Sequence, residues 1–423
     1  MTQEKKHSET GQDCPEGYKS CDGYKIPKEW HIVRFDSLFS RVTRKNDENN
    51  QNVLTISAQQ GLISQIEYYN TLYASENKTG YTLLHRGDFS YNKSYSSGYA
   101  YGAIKRLDAY EKGIVSPLYL CFTPRQGVNS DFYLQYFEAG CFDREIYKIA
   151  QEGARNHGLL NVSTEDFFHS MLVFPPLEEQ ERITEILTQC DHVIELKEQK
   201  LDELKQLKKE FLRKMFPAKG CDTPEIRFPG FTGAWEQRKL GELGTITTGS
   251  TPSTAIPDYY SDDGIVWVTP TDICENITFE SARKLSDLGQ QVGRIVPKNT
   301  ILVTCIASIG KNTMLGNTGS FNQQINGLTP NENECDPYFL LTESALWSAK
   351  MKSSAAAGTM QIVNRTEFSE LKTWLPSLIE QQAISDFFRQ LDYLITLHQR
   401  KLEEMKKQKK ALMQLLLTGI VRV

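Results

Sequence analysis

The sequence predicts an α+β protein in which two globular domains alternate with two long coiled-coil helices. Two observations lead to this fold class. Residues 175–216 align without a gap on residues 376–417 at a shift of 201 positions, with 15 identical pairs. The two regions outside this repeat contain short apolar runs broken by turn residues, a pattern typical of small mixed domains. The chain is therefore predicted to be a tandem duplication with pseudo-two-fold symmetry, a globular domain followed by a helix, twice.

Both copies of the repeated segment have the apolar spacing of a coiled coil. At the first start, Pro175 and Pro176 precede two glutamates, and at the second Ser377 and Glu380 form a capping box. Pro217 and Gly419 mark the ends. We expect the helices to pack on each other through two stripes of residues: Ile183, Leu187, Cys190, Ile194, Leu201 and Leu204 in the first, and Ile384, Phe388, Leu391, Ile395, Leu402 and Met405 in the second.

Polar residues interrupt both stripes at matched places. Lys197 corresponds to His398, and Lys208 corresponds to Lys409. These side chains either extend into solvent from a frayed contact or act as polar pins that fix the register of the two helices. The sequence leaves both explanations open.

The repeat divides the rest of the chain. Residues 1–24 are predicted to form a flexible tail, 25–174 the first globular domain, 175–216 the first helix, 217–234 a linker rich in Pro and Gly, 235–374 the second domain, and 375–423 the second helix segment. The domains share an order of landmarks, because Trp30 matches Trp235 and the pair Tyr133 and Glu138 matches Tyr338 and Glu343.

Composition narrows the class of protein. The chain has 423 residues, a net charge of −5 and 39% hydrophobic residues, and it has no apolar run long enough to span a membrane. Its nine cysteines are scattered without a C-x-x-C pair, which favours reduced thiols in the cytoplasm and disfavours a zinc site. The negative charge means that any affinity for nucleic acid must come from local basic patches.

Motifs of catalysis are missing from the sequence. It contains no G-x4-G-K-[ST] phosphate loop, no dinucleotide fingerprint and no Asn-Pro-Pro-aromatic segment of an adenine methyltransferase. We therefore expect no catalytic, cofactor or metal site in this chain. The duplicated layout alone also allows a different class of function, a coiled-coil scaffold that tethers protein ligands.

Several segments resemble the specificity subunit of type I restriction-modification systems. They are the helix starts PPLEEQERI and PSLIEQQAI, the linker IRFPGFTGAWEQRKLGEL, and the segments ITTGSTPS, IASIGK, FNQQI and GTMQIVNRTEF. The resemblance implies two target recognition domains, each reading one half of a bipartite site in double-stranded DNA. It also implies that the two domains are separated by the two long coiled-coil helices, which would run antiparallel, set the spacing and dock two methyltransferase subunits.

The same resemblance implies two restriction and translocase subunits in the full complex. S-adenosylmethionine, ATP and Mg²⁺ would be used by these partners and not by this chain. Base readout needs side chains with paired donors and acceptors, and phosphate contacts need basic or hydroxyl groups. We therefore select Asn92, Lys93, Ser94, Tyr95, Arg155 and Asn156 in the first domain, and Thr248, Ser250, Lys311, Asn312, Gln323 and Gln324 in the second. For each of them a structural role inside the domain remains an alternative.

Overall fold

The computed structural model describes residues 14–57, 60–95, 98–152, 160–306, 308–356 and 362–423. The chain divides into two compact units, the first comprising Met1–Leu196 with Leu402–Val423 and the second comprising Lys197–Lys401. Each unit therefore contains one globular domain, the beginning of one long helix and the end of the other.

The first half of the chain is a series of short elements that ends in a long helix. In order they are β1 Tyr18–Cys21, β2 Tyr24–Pro27, β3 His31–Arg34, α1 Phe35–Leu38, β4 Phe39–Arg41, β5 Leu54–Ser57, β6 Gly61–Ser64, α2 Gln65–Tyr69, β7 Thr82–His85, β8 Phe89–Asn92, β9 Ala103–Arg106, β10 Lys112–Val115, β11 Leu120–Pro124, α3 Ser130–Glu138, α4 Asp143–Ile149, β12 Gln151–Glu152, β13 Leu160–Asn161, α5 Thr164–His169, β14 Met171–Phe174 and α6 Leu177–Lys214.

An antiparallel sheet of order β4-β11-β8-β9 forms the centre of the first domain. Helix α3 is capped by Asn129, the residue before its first turn, whose side chain accepts hydrogen bonds from the backbone N–H groups of that turn. One face of α3 buries four aromatic residues at helical spacing. They join a core of phenylalanines around Phe35, whose ring centroid lies 4.9 Å from that of Phe122 in an edge-to-face arrangement.

The second half repeats this plan with longer strands. Its elements are β15 Glu236–Lys239, β16 Gly244–Thr248, β17 Tyr260–Val268, β18 Ile277–Thr278, β19 Lys284–Leu285, α7 Asp287–Val292, β20 Ile301–Thr304, β21 Asn312–Leu315, β22 Ser320–Phe321, β23 Ile325–Pro330, α8 Pro337–Ala356, α9 Arg365–Ser369, β24 Lys372–Leu375 and α10 Leu378–Leu417, with 3₁₀ turns at Leu240–Glu242 and Pro257–Tyr259. Its main sheet has the order β16-β23-β20-β21-β18.

The first and last strands of each domain pair in the same way. Strand β3 is antiparallel to β14, with His31 opposite Phe174, and β15 is antiparallel to β24, with Glu236 opposite Leu375. The chain therefore enters each domain beside the point where it leaves for the long helix. Because this strand pair has the same place in both domains, the tryptophan just before its first strand, Trp30 or Trp235, is buried in each of them.

Within each unit the two long helices run antiparallel. In the first unit Ile183 and Leu187 of α6 belong to the same core as Met413 and Leu416 of α10. In the second unit Phe216, just beyond α6, lies 6.1 Å from Phe388 of α10 between ring centroids. The start of one helix thus packs with the end of the other in both units, as the sequence predicts.

Most of the residues predicted for the helix stripes are buried. Leu187 and Phe388 have no exposed surface, whereas Cys190, Ile194 and Met405 are only half-buried. The helices are shorter than the predicted segments, because α6 begins after Pro176 and ends before Pro217, and α10 begins at Leu378 and ends before Gly419. The backbone of Gly419 has a φ of +73°, the left-handed conformation of a helix C-terminus.

The predicted capping box at α10 is only half formed. The backbone N–H of Glu380 donates to the Ser377 hydroxyl at 3.4 Å, but the Glu380 carboxylate binds Arg227 instead of returning to the cap. A bidentate guanidinium is a stronger partner for a buried carboxylate than one backbone N–H. The ion pair therefore replaces the second half of the box.

The amino-terminal region differs from the prediction of a flexible tail through residue 24. Strands β1 and β2 form a hairpin, with Tyr18 opposite Pro27. The Tyr18 hydroxyl donates to the Gly419 carbonyl at 2.9 Å, and Ile26 is buried in the core of the unit. The hairpin is ordered because it packs on the end of α10, a long-range contact that a local reading of polar residues does not detect.

Candidate nucleic-acid interface

In the second domain, the loop after β16 lies directly on the turn between β22 and β23. A Cβ atom at Gly249 would be 2.1 Å from the carbonyl oxygen of Asn322, so only glycine allows this approach. The backbone N–H of Ser250 donates to the Phe321 carbonyl at 2.9 Å. The exposed Thr251 hydroxyl donates to the side-chain oxygen of Gln323. The segments TTGSTPS and FNQQ are therefore one surface.

Arg294, which follows α7, forms hydrogen bonds with the opposite side of this loop. Its guanidinium donates to the Thr248 carbonyl at 2.6 Å, and its backbone N–H donates to the Ser250 hydroxyl at 3.0 Å. The indole N–H of Trp267 also donates to the Ser250 carbonyl at 3.0 Å. Arg294 is exposed, and sequence reasoning missed it because it stands alone between apolar residues.

The structure brings four predicted residues together here but gives them different environments. Gln323 is exposed, whereas Gln324 accepts from the Asn322 amide at 3.1 Å and is half-buried. The Thr248 hydroxyl donates to the side chain of Asn326 at 2.7 Å, a bond inside the domain. Gln323, with Thr251 and Arg294 beside it, is thus the side chain of this group that is best placed to read a ligand.

Lys311 and Asn312 stand at the start of β21, on the neighbouring part of the same sheet. Lys311 is exposed, and its ammonium donates to the Pro270 carbonyl at 3.0 Å. The Asn312 amide donates to the hydroxyl of Ser344 on α8. Lys311 is available for a phosphate contact, while Asn312 is occupied in holding α8 on the sheet.

In the first domain the predicted residues follow β8. The Lys93 ammonium donates to the Val162 carbonyl at 2.6 Å, and its burial lowers its pKa. The side chain of Asn92 accepts the backbone N–H of Ser94 at 3.0 Å. Tyr95, in contrast, is 64% exposed. The contacts of Lys93 and Asn92 shape the loop, and Tyr95 is the member of this group that faces solvent.

Two further tyrosines of the same stretch serve the domain itself. The Tyr91 hydroxyl donates to the Tyr101 carbonyl at 2.7 Å, and the Tyr99 hydroxyl donates to Glu138 at 2.9 Å. The predicted residues Arg155 and Asn156 lie outside the residues that the structure describes.

The helix starts carry a matched pair of buried glutamates. Glu179 accepts hydrogen bonds from the Trp30 indole at 2.8 Å and from Arg422 at 2.9 Å. Its repeat counterpart Glu380 accepts two from Arg227, at 2.7 and 2.8 Å. In each unit an arginine beyond the end of one helix therefore neutralises the glutamate at the start of the other.

The lysines that interrupt the helix stripes also form matched ion pairs. The Lys208 ammonium lies 2.6 Å from the Asp392 carboxylate, and Lys409 forms an ion pair with Asp191. Each pair joins the two helices within one unit. The contacts favour register pins at these two places, whereas Lys197 and His398 form no such pair with any residue that the structure describes.

The described residues contain no group of three or more His, Cys, Asp or Glu side chains that could hold a metal ion. No helix among them is long and apolar enough to cross a membrane. All nine cysteines are free thiols.

Comparison with known proteins decides the family. A family model described as the type I restriction modification DNA specificity domain matches residues 27–206 and, a second time, residues 233–407. The chain belongs to this specificity family. Its two matches coincide with the two halves of the tandem duplication.

Curated relatives carry the same description, over the whole chain or over part of it. The type I restriction enzyme MjaVIII specificity subunit of Methanocaldococcus jannaschii is 24% identical over 437 residues, covering 96% of each chain. The MjaIX specificity subunit of the same organism is 29% identical over 185 residues, 41% of each chain. A structure described under complex assembly and conformational transition of the type I restriction-modification system matches with a TM-score of 0.59 at 17% identity, over 94% of this chain and 100% of that one.

These findings confirm the fold class and the family predicted from the sequence. The chain is a DNA specificity subunit of the type I restriction-modification family, with two specificity domains and two long helices.

Proposed function

We propose that each specificity domain reads one half of a bipartite site in double-stranded DNA. The observation that carries this proposal is the duplication itself, because the family model matches the chain twice. The candidate surfaces support separate readout, since they differ in chemistry. The second domain presents Gln323, Thr251 and Arg294, whereas the first presents Tyr95. Glutamine pairs well with adenine in the major groove, while tyrosine commonly contacts phosphate.

The helices have two further roles in this proposal. They set the gap between the half-sites and they dock two methyltransferase subunits. Helix α6 begins in the first unit and ends in the second, and α10 returns in the same way. Inserting four residues after Gln206 lengthens α6 by about 6 Å. We expect the gap in the modified site to grow by one or two base pairs, and an unchanged gap with full activity would remove the helices from this role.

The chemistry of the system belongs to the partners. In the complex, which we place in the cytoplasm, methyltransferase subunits use S-adenosylmethionine to methylate adenine in each half-site. Two restriction and translocase subunits use ATP and Mg²⁺. The chain itself supplies recognition and contributes no catalytic residue, cofactor site or metal site.

Methyl transfer to genomic DNA tests this division of labour. The purified chain with S-adenosylmethionine should transfer no methyl group, and adding its methyltransferase subunit should produce methylated adenines at one bipartite sequence. Transfer by the chain alone would contradict the division. Binding of the loaded complex that ignores DNA sequence would contradict the reading of half-sites and would favour a scaffold.

A further inference from the structure

A cleft in the second unit collects an excess of positive charge. It has a volume of about 660 Å³ and lies between the two long helices and the segment Cys274–Phe279 of the second domain. Four cations line it, Lys205, Lys208, Arg389 and Arg400, against the two carboxylates of Glu275 and Asp392. In a chain of net charge −5, such a local excess is the electrostatic footprint expected for a polyanion.

Two of these cations are committed to the fold. Lys208 lies 2.6 Å from Asp392, which also accepts a hydrogen bond from the Tyr338 hydroxyl at 3.0 Å. The Arg389 guanidinium stacks 4.7 Å from the centroid of the Tyr338 ring and lies 3.9 Å from Asp386. These contacts neutralise Asp392 and fix the floor of the cleft.

The other two cations have no partner in the described part of the chain. Lys205 and Arg400 are exposed and form no ion pair or hydrogen bond with any residue that the structure describes. Long cationic side chains without a protein partner are available to an anion that enters the cleft. Two exposed aromatic residues, Phe279 and Tyr393, stand at its rim, 54% and 66% exposed.

The corresponding cleft of the first unit has no such excess. It is lined by Lys105, Arg106 and Lys409 together with three carboxylates. All three cations are paired, Lys105 with Glu138 at 2.5 Å, Arg106 with Asp131 at 2.7 Å, and Lys409 with Asp191. The free positive charge is therefore a property of the second unit and not a consequence of the duplication.

Backbone hydrogen bonds connect one wall of the cleft with the elements of the candidate interface in its own domain. Strand β18, which forms one wall, is parallel to β21, and the backbone N–H of Met314 donates to the Asn276 carbonyl at 2.9 Å. Lys311 immediately precedes β21 and reaches the Pro270 carbonyl. The backbone N–H of Cys305, just after β20, donates to the Gln324 carbonyl at 2.8 Å. Hydrogen-bonded backbone segments thus join one wall of the cleft to the elements that carry Lys311 and Gln323, within the same domain.

We propose that this cleft binds the phosphodiester backbone of duplex DNA beside the half-site read by the second domain. Lys205 and Arg400 would make the phosphate contacts, with the Tyr393 hydroxyl as a further donor. The inference rests on the proposed function, and it adds an affinity that does not depend on base sequence. The wall of the cleft is hydrogen-bonded to the strand that follows exposed Lys311, and this second cation on the same domain favours DNA over an acidic protein surface as the occupant.

The test uses the chain loaded with its methyltransferase subunit and a duplex that carries its mapped site. Dissociation constants are measured at several salt concentrations for the double variant Lys205→Gln/Arg400→Gln. The matched control is Lys209→Gln/Lys401→Gln, which removes two exposed lysines from the same helices outside the cleft. We expect the cleft variant to lower the slope of log affinity against log salt by about one unit per lost contact, and the control to leave it unchanged.

A second measurement locates the phosphates. Replacing single phosphates near the second half-site by neutral methylphosphonates should lower the affinity of the complex that carries the wild-type chain. It should not change the affinity of the complex that carries the cleft variant. Equal salt slopes for the cleft variant and the control would overturn the inference. Loss of the methyltransferase subunit from the cleft variant would also overturn it, because the surface would then belong to a protein partner.

The same experiment keeps this inference apart from the proposed function. Discrimination between the mapped site and an unrelated duplex tests the reading of half-sites, whereas the salt slope tests the cleft. A complex that fails to discriminate would contradict the proposed function, and the slopes would still decide whether the cleft holds DNA.

Discussion

A single matched position shows how the two domains have come to differ. Glu138 and Glu343 occupy equivalent places in the duplication, because the pair Tyr133 and Glu138 matches the pair Tyr338 and Glu343. Glu138 lies 2.5 Å from the Lys105 ammonium, so its charge is balanced. Glu343 is 3% exposed, accepts the backbone N–H of Trp374 at 3.0 Å, and leaves its second oxygen without a hydrogen-bond partner among the described residues. Burial raises the pKa of Glu343 from 4.5 to about 7.

This raised pKa predicts how stability depends on pH. Because the folded state binds the proton more tightly than the unfolded state, the contribution of protonated Glu343 is complete below pH 4.5 and is lost as the pH rises through about 7. We expect wild type to lose about 3 kcal/mol of unfolding free energy relative to Glu343→Gln over this window. Denaturant unfolding of both proteins at pH 5 and pH 8 measures the difference.

Glu138→Gln is the matched control. It removes the partner of Lys105, whose side chain is 7% exposed, and should destabilise the first unit by about 3 kcal/mol. If the difference in unfolding free energy between wild type and Glu343→Gln stays constant from pH 5 to pH 8, Glu343 remains ionised in the folded state.

At the level of elements, the two long helices are held by pairs that repeat with the duplication. Lys208 and Asp392 have side chains that are 28% and 13% exposed, whereas Lys409 and Asp191 are 17% and 46% exposed. A charge that is withdrawn from water couples more strongly to its partner than an exposed one. The pair of the second unit should therefore contribute more than the pair of the first.

Double-mutant cycles can measure this order. Lys208→Met and Asp392→Asn should show a coupling of about 1–2 kcal/mol, and Lys409→Met with Asp191→Asn a coupling below about 1 kcal/mol. The readout is the free energy of unfolding. A vanishing coupling in both cycles would mean that these lysines are solvated stems and that apolar packing alone sets the register.

The sequence predicts the helices well because their signal is local. Apolar spacing and flanking prolines identify α6 and α10 to within three residues at the start and six at the end. The ion-pair partners of Lys208 and Lys409 could not be predicted. A lysine that extends into solvent and a lysine that pins the register occupy the same positions in the apolar pattern. The ordered hairpin before Trp30 and the loss of half the capping box likewise depend on residues that are distant in the chain, Gly419 and Arg227.

The candidate interface was only partly predictable for the same reason. Composition selected Gln323, which is exposed, but also Asn312, which bonds Ser344. Both are amides in polar turns, and only the fold decides which one packs against a helix. Arg294 was missed because nothing near it in sequence points to the loop after β16 that it holds.

At the scale of the whole molecule, each unit closes on itself by the same means. In the first unit, Arg422 near the carboxyl end binds Glu179 and Glu29, and a Cβ at Gly419 would lie 2.6 Å from Pro27. In the second unit the linker residue Arg227 takes the role of Arg422 at Glu380. The buried Trp235 indole has no hydrogen-bond partner among the described residues, whereas that of Trp30 donates to Glu179. The carboxylates of Glu179 and Glu380 thus each accept hydrogen bonds from an arginine of their own unit.

This closure predicts that the domains are exchangeable modules. Replacing residues 25–174 by the equivalent region of a relative should change one half of the methylated site and leave the other half and the gap unchanged. Adenine methylation mapped across the genome of a strain carrying the chimera is the measurement. The physical reason is that the exchanged segment shares its core with residues of its own unit, since Ile183, Leu187 and Met413 of the two helices join that core.

The contacts of the carboxyl end decide which chimeras should work. A donor segment that preserves Pro27, Glu29 and Trp30 retains the partners of Gly419, Arg422 and Glu179. A donor that lacks the tryptophan would remove one hydrogen bond from buried Glu179, at a cost of about 2 kcal/mol, and should methylate poorly at both half-sites until Trp is restored at position 30. If chimeras with these three residues intact altered both half-sites, recognition by one domain would depend on the other, and the modular reading would have to be abandoned.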